Sequence, residues 1–459
     1  MRINYLQSIL SKSILVFLIL TLSTPSSYTA QELAKDRTVI LITVDGLPSW
    51  IWKNQALVMP NLRRLAKEGS VADVMTVSNP SITWINHTTI ATGVTPRKHG
   101  VLFNGLLVRR GPTLPPKVEP WRDKADLVHT PTIYDAAYKA GLKTAQIDWV
   151  AILNSGTINY EFLEIPKPDG QIEQELIKAG IITADEVQNF MKGKNIVWND
   201  WMWTQAGCHI IEKHKPNLMF FHLLGTDAAN HNHGPGSTGS HSAYAYTDKF
   251  IGDILTSIEK SGLRDRTTVI VTTDHGFKKV NKVIHPNVAL RQAGLIRIKD
   301  SKVESCDAYI MVQGGMAFVY ITDPTKKAEL LPVVKPICAG LEGVAEVFDS
   351  VDAPKLGMPT TEENQAMGDL ILFAKTGFAF KDICTGEELV ADSKNYLGTH
   401  GYPASDPELD GMFIAWGYGI KQGVKLDRIA NIDVAPTIAE SLGIPFPTAE
   451  GRILREIFK

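Results

Sequence analysis

A series of apolar, β-branched runs, most of them stopping at a glycine or an acidic residue, constrains this chain more than any other feature. "RTVILITVDG" stops at Asp45 and Gly46, "LKTAQID" at Asp148, "PNLMFFHLLGTD" at Asp227, and "RTTVIVTTDHG" at Asp274 and His275; "DLILFAK" and "GMFIAWG" complete the set. Runs this continuous predict strands buried on both faces, as in a mostly parallel sheet. Helical patterns lie between them: "MPNLRRLAKEGS", "TIYDAAYKAG" and "AYAYTDKFIGDILTSIEKSG". Gly69, Gly141 and Gly262 stand where helix-terminating glycines belong. The alternation implies an α/β fold, a doubly wound, mostly parallel sheet with helices on both faces. Two irregular regions, Gly105–Val128 and Ala151–Trp203, break the rhythm. Residues from about 285 to 395, with "MAFVYIT" and "VAEVFDS", read as a small inserted α+β cap. The expected organisation is one catalytic domain over 31–459 carrying that insert.

Residues 1–30 read as a secretory signal: Arg2 and Lys12, then the short apolar run "ILVFLILTL" (Ile14–Leu22), then small and polar residues to Ala30. The expectation is an exported protein, periplasmic or secreted, with no stable membrane span once the signal is removed. Formal net charge is −2 over 459 residues, so no basic field recruits duplex nucleic acid. An anionic substrate must be held by a local device such as metal ions. Cys208, Cys306, Cys338 and Cys384 contain no CxxC pair. One or two disulfides and four free thiols are both compatible with them. Oligomeric state is open.

In open α/β sheets, active sites form outside the carboxyl ends of the strands, and Asp45, Asp227, Asp274 and His275 all fall there. Asp227 and His231 are four residues apart and can reach one ion, with His400 of "GTHGY" as third ligand. Asp274 and His275 can flank a second ion with Asp45. Three protein ligands per ion leave a position for substrate, as catalytic zinc sites require, and mixed imidazole and carboxylate donors favour Zn²⁺, with Mn²⁺ or Fe²⁺ also suited. Two metals about 4 Å apart suit phosphoryl chemistry. Thr83, opening a helix predicted to run to about Thr92, offers a hydroxyl at a positive helix end. His233 reads as loop packing or as a hydrogen-bond partner behind a ligand, His87 as an ordinary histidine without a site role, and His222, inside an apolar strand, as a satisfied core histidine. Trp84, Phe103, Trp149 and Tyr160 are open to two readings, base stacking or packing.

"VDG", "SITWINHTTIATG", "HGVLFN", "TDAANHNHGP", "TTDHG" and "GTHGY" occur in an order that resembles the alkaline phosphatase superfamily, over roughly residues 38–441. The resemblance is strongest to its nucleotide pyrophosphatase/phosphodiesterase branch, the type I phosphodiesterases. It implies an alkaline phosphatase-like fold and a two-zinc centre, with Asp227, His231 and His400 on one ion and Asp45, Asp274, His275 and Thr83 on the other. It also implies a catalytic, covalently modified Thr83, an Asn104 amide on a phosphoryl oxygen, and a small phosphodiester or nucleotide substrate. Trp84 and Ile85 depart from the Phe-Pro that this branch commonly shows after the threonine. Monoesterases of the superfamily with a Thr nucleophile add a Lys-x-Arg pair after the second core strand; the counterpart here, "IDW" (Ile147–Trp149), has no cation. That favours diesters. A phosphomonoesterase or phosphonate hydrolase with the same centre, and a non-enzymatic zinc-stabilised binding protein, are the rival readings.

Overall fold

The computed structural model describes residues 34–192 and 195–459; the signal expected over residues 1–30 lies outside them. Eight strands form the main sheet: β1 (Thr38–Val44), β2 (Ser70–Thr76), β3 (Thr144–Ile147), β4 (Tyr160–Phe162), β5 (Leu218–Leu223), β6 (Thr267–Thr272), β7 (Gly411–Gly417) and β8 (Lys425–Ala430). Their spatial order is β8-β2-β7-β6-β1-β5-β3-β4. β1 runs parallel to β5 and β6, β3 parallel to β4 and β5, and β2 parallel to β8. Only β7 is reversed, antiparallel to both β2 and β6. The sheet is therefore mostly parallel, as the runs predict.

Alternation along β1 shows why its run is apolar throughout. Ile40, Ile42 and Val44 join Met219, Phe221, Val269 and Val271 in a core beneath the helices Pro60–Glu68, Ile196–Lys213 and Thr238–Lys260. Val39 and Leu41 join Leu218, Phe220 and Ile270 on the other face, beneath Thr83–Thr92, Ile133–Lys139 and Val434–Leu442. Successive side chains point to opposite faces, and helices cover both.

One run was misassigned by this logic. "DLILFAK" supplies Leu370–Ala374, which belongs to a separate antiparallel sheet of Ala308–Gln313, Met316–Ile321, Leu370–Ala374 and Val344–Asp349. That sheet is also buried on both faces. Leu370 and Leu372 pack with Val319 and Ile321, while Ile371 and Phe373 pack with Phe318, Leu102 and Phe103. A continuous apolar run reports two covered faces, whichever way the neighbouring strands point. All four cysteines are free thiols, and no helix among the described residues is long and apolar enough to cross a membrane.

Candidate metal centre and catalytic site

The carboxyl ends of β1, β5 and β6 meet at one edge, and the chain places its acidic residues just beyond them. Asp45 follows β1. After β5 the chain turns into the helix Gly225–His233, whose first N–H groups are held by Asp200: Leu224 and Gly225 donate to its two oxygens at 3.0 Å each. Asp227 and His231 are one turn apart on that helix and share a face. Asp274 and His275 follow β6, and a strand beginning at Lys278 continues from them. Gly398 and Thr399 pair with Lys279 and Lys278, which carries the distant His400 back beside His275. The His275 and His400 rings stack at 3.7 Å between centroids.

Two groups of three donors result: Asp227, His231 and His400, and Asp45, Asp274 and His275. His275 Nε2 lies 3.3 Å from Asp45 Oδ1 and 3.2 Å from Asp274 Oδ2. Asp227 Oδ1 lies 3.4 Å from His231 Nε2 and 3.6 Å from His400 Nε2. Every imidazole is fixed through its other nitrogen. His231 Nδ1 meets the Gly398 carbonyl at 2.9 Å, His275 Nδ1 the Gly276 carbonyl at 3.1 Å, and His400 Nδ1 the Ser81 carbonyl at 2.9 Å. An N–H committed to a carbonyl leaves Nε2 with its lone pair, the tautomer that binds metal. Gly46, at φ +63°, aims its N–H at Asp274 Oδ1 (3.1 Å); a Cβ there would meet the Phe277 ring at 2.8 Å.

Asp45 Oδ1, Asp274 Oδ2 and Asp227 Oδ1 are buried without a hydrogen-bond partner, and each faces the Nε2 atoms of its group. No Lys or Arg pairs with these carboxylates among the described residues. Burial, then repulsion from Asp227, pushes the Asp45 carboxyl up to about 6. Burial and Asp45 drive Asp274 well above the usual carboxylate range. Burial holds His275 well below its ordinary value and His400 down at about 4. Concentrated carboxylates that resist ionisation, beside neutral imidazoles and one orphaned oxygen or more per group, form a donor set that fits divalent cations.

Thr83 opens the helix Thr83–Thr92, with Ile82 in the capping position, so no side chain there caps the helix. Its Oγ1 lies 3.3 Å from His275 Nε2, against the second group. Asn104 is exposed, and its Oδ1 accepts the Trp84 N–H at 3.1 Å. That bond fixes the amide oxygen, and Nδ2 donates to no other group among the described residues. The eight residues singled out from the sequence are thus gathered at one edge of the sheet.

His222 is buried, as a core histidine should be, but one of its partners is the candidate ligand Asp45. Nε2 donates to Asp45 Oδ2 at 2.9 Å, while Nδ1 lies 3.0 Å from the Asp148 carbonyl and 3.1 Å from Asp148 Oδ2. Burial opposes its charge, yet the Asp148 and Asp45 carboxylates outweigh this and hold the imidazole well above its usual value. His87 likewise braces the helix that Thr83 opens, with Nδ1 2.8 Å from the Thr83 carbonyl and Nε2 2.8 Å from Thr43 Oγ1. The available signal for His222 was its place at the exit of a strand adjacent to β1. Thr43 and His222 are register partners, so the His222 ring sits beside Asp45.

The aromatic candidates divide. Phe103 packs on Phe318 (5.5 Å) and Tyr160 stacks on His214 (4.1 Å). Trp149 also packs, stacked on Phe220 at 4.6 Å, but with Trp84 it lines a cavity of about 290 Å³ beside the helix that Thr83 opens, whose walls include Trp121, Ile152, Leu163, Glu164, Arg122 and Lys167. Burial, then repulsion from Asp148, pushes the Glu164 carboxyl up to about 8. A larger depression of about 940 Å³ lies by Trp416 and Arg264, at the amino ends of the parallel strands, and contains none of the site residues.

The profile of the type I phosphodiesterase/nucleotide pyrophosphatase family matches residues 39–403. Mouse ectonucleotide pyrophosphatase/phosphodiesterase family member 7 is 21% identical over 425 residues, 92% of this chain and 86% of that protein. Venom phosphodiesterase 2 of Crotalus adamanteus is 24% identical over 244 residues, 53% of this chain and 27% of the venom protein. Among solved structures, an inactive variant of murine ectonucleotide pyrophosphatase/phosphodiesterase 5 in complex with AMP superposes with a TM-score of 0.69 at 15% identity, covering 92% of this chain and 100% of that one. The human protein of that name gives 0.67 at 17% identity, over 89% and 96%.

Proposed function

The chain belongs to the type I phosphodiesterase/nucleotide pyrophosphatase family, and from that premise we propose that it hydrolyses small phosphodiesters or nucleotides at a two-zinc centre through a covalent Thr83 intermediate. The observation that carries this reading is the pair of three-donor groups joined by the His275–His400 stack, one of them against a helix-terminal hydroxyl and each with a buried carboxylate oxygen left unpartnered. Asp227, His231 and His400 would hold one ion, and Asp45, Asp274, His275 and Thr83 the other. Bound divalent cations supply Lewis-acid activation and neutralise charge on the oxygens that attack and leave.

The residues themselves do the rest. Thr83 Oγ1 attacks phosphorus in line; the Oγ1–P bond forms, the bond to the leaving oxygen breaks, and the net proton passes from the hydroxyl to the released alcohol. The intermediate keeps the second ester substituent on its phosphorus. Water then cleaves the Oγ1–P bond and restores Thr83. Asn104 Nδ2 donates to a non-bridging oxygen as negative charge develops there. His222 and His87 hold Asp45 and the Thr83 turn in position. The Trp84–Trp149 cavity receives an apolar or aromatic ester substituent.

Charge favours the diester. Two divalent cations are balanced by three carboxylates and the Thr83 alkoxide. Around them His222 is offset by Asp148, so the surroundings add no net cation for the extra charge of a monoester. The enzyme is taken to be exported, periplasmic or secreted, on the strength of the residue 1–30 pattern and of relatives that include a venom enzyme. The test is hydrolysis of bis-p-nitrophenyl phosphate against p-nitrophenyl phosphate by the zinc-loaded protein. The diester is the faster substrate, and Thr83→Ala abolishes its turnover while metal content stays. A faster monoester, or more than a few per cent of activity in the variant, would overturn the proposal.

A further inference from the structure

A second cluster of metal-suited side chains lies at the far edge of the main sheet, beside β4 and away from the ends of β1, β5 and β6. Glu175 stands on the helix Gln171–Lys178; His209 is in the last turns of Ile196–Lys213, and His214 ends that helix. His209 Nε2 lies 2.7 Å and His214 Nε2 2.8 Å from the same atom, Glu175 Oε2. The other oxygen, Oε1, is occupied by the Gln171 amide at 3.0 Å, which fixes the carboxylate with Oε2 turned to both rings. Tyr160 stacks on the His214 ring at 4.1 Å and 24°, which fixes its plane.

From this convergence we propose that Glu175, His209 and His214 form a third, peripheral site for a divalent transition metal of the zinc class. The three donor atoms lie within 4.8 Å of one another. Zinc sits about 2.0–2.2 Å from nitrogen and oxygen ligands, so tetrahedral ligation needs the donors to spread by roughly 0.6 Å. Side-chain rotation alone supplies that. The rings are mostly covered, at 10% and 17% exposure, while the carboxylate is 31% exposed, so an ion can enter and water can complete its shell. No Lys or Arg forms an ion pair with Glu175 among the described residues, and none competes for it. Two imidazole nitrogens with one carboxylate select zinc, nickel or copper over magnesium or calcium. Ligation replaces the two imidazole N–H···O bonds, with each ring proton moving from Nε2 to Nδ1, and because protons compete with the ion for these nitrogens binding weakens as pH falls. The ion would tie the helix Gln171–Lys178 to the end of Ile196–Lys213, a structural staple independent of catalysis.

The experiment is zinc stoichiometry of the full chain after metal depletion, reloading and removal of excess, in the wild type, His209→Gln/His214→Gln and Asp227→Asn. The double histidine variant loses one equivalent relative to wild type and keeps its diesterase activity; Asp227→Asn loses activity and keeps the peripheral equivalent. An unchanged metal count in the double variant overturns the proposal, whatever happens at the catalytic centre. Should the double variant fail to fold, a zinc-edge anomalous map of wild-type crystals decides: a peak between His209, His214 and Glu175 supports the site, and its absence there overturns it.

Discussion

Replacing His222 by leucine tests whether a buried histidine, in contact with no substrate, sets the affinity of the centre. The change keeps the pocket roughly filled and removes three polar contacts, the 2.9 Å bond to Asp45 Oδ2 and the two Nδ1 contacts to Asp148. A hydrogen bond to a charged group is worth about 1.5–3 kcal/mol. Loss of an outer partner of a metal ligand typically weakens metal binding by about 10–100-fold, which corresponds to about 1.4–2.8 kcal/mol; the two ranges agree. The expected result is an affinity loss of that size at the Asp45–Asp274–His275 group alone, with the Asp227–His231–His400 group unchanged. Asp148→Asn should cost less than tenfold, because the Asp148 backbone carbonyl still accepts from Nδ1 and the Asp45 bond survives. Zinc titration against a chromophoric chelator resolves the two affinities. Wild-type affinity in His222→Leu, or an equal cost in Asp148→Asn, would refute the argument that His222 acts through Asp45.

Asn104→Ala removes the free Nδ2 donor and should lower kcat for the diester about 10²-fold, the cost of one oxyanion donor, with zinc content unchanged on metal analysis. Glu164 is neutral below about 8 and ionises above it, adding negative charge to the cavity wall that meets an anionic substrate. KM should therefore rise as pH passes through about 8, and Glu164→Gln should flatten that rise. Because the folded-state value is raised from 4.5 to about 8, the carboxyl's stabilising share is present in full below the unfolded value, is lost as pH climbs from there to about 8, and is gone above it. Gly46→Val forces a branched residue to φ +63° against the Phe277 ring and should cost about 1–3 kcal/mol, read as a lower Tm and weaker zinc binding. Trp84→Ala opens the cavity beside Thr83 and should raise KM for nitrophenyl diesters more than it lowers kcat.

The candidate ligands were legible because each stands in a short local pattern at a strand exit or in the helix just beyond one. Asp45, Asp274 and His275 end runs whose apolar alternation is visible without a partner strand. The joining of His400 to His275 was not legible by pattern alone. It depends on Gly398 and Thr399 pairing with the strand that begins three residues after His275. The roles of His222 and Asp148 were hidden for a similar reason: three different strands supply Asp45, His222 and Asp148, and only register aligns them. "DLILFAK" went to the wrong sheet because burial on both faces erases alternation in antiparallel strands as it does in parallel ones. The Cys residues carry no spacing signal at all; here they are four free thiols.

The stereochemical course at phosphorus tests the central claim, that Thr83 takes the group before water does. A phosphorothioate diester of defined configuration, hydrolysed in isotopically labelled water, reports it directly. Two successive in-line displacements predict overall retention. Inversion would mean that water attacks the substrate itself, and Thr83 would then be no nucleophile.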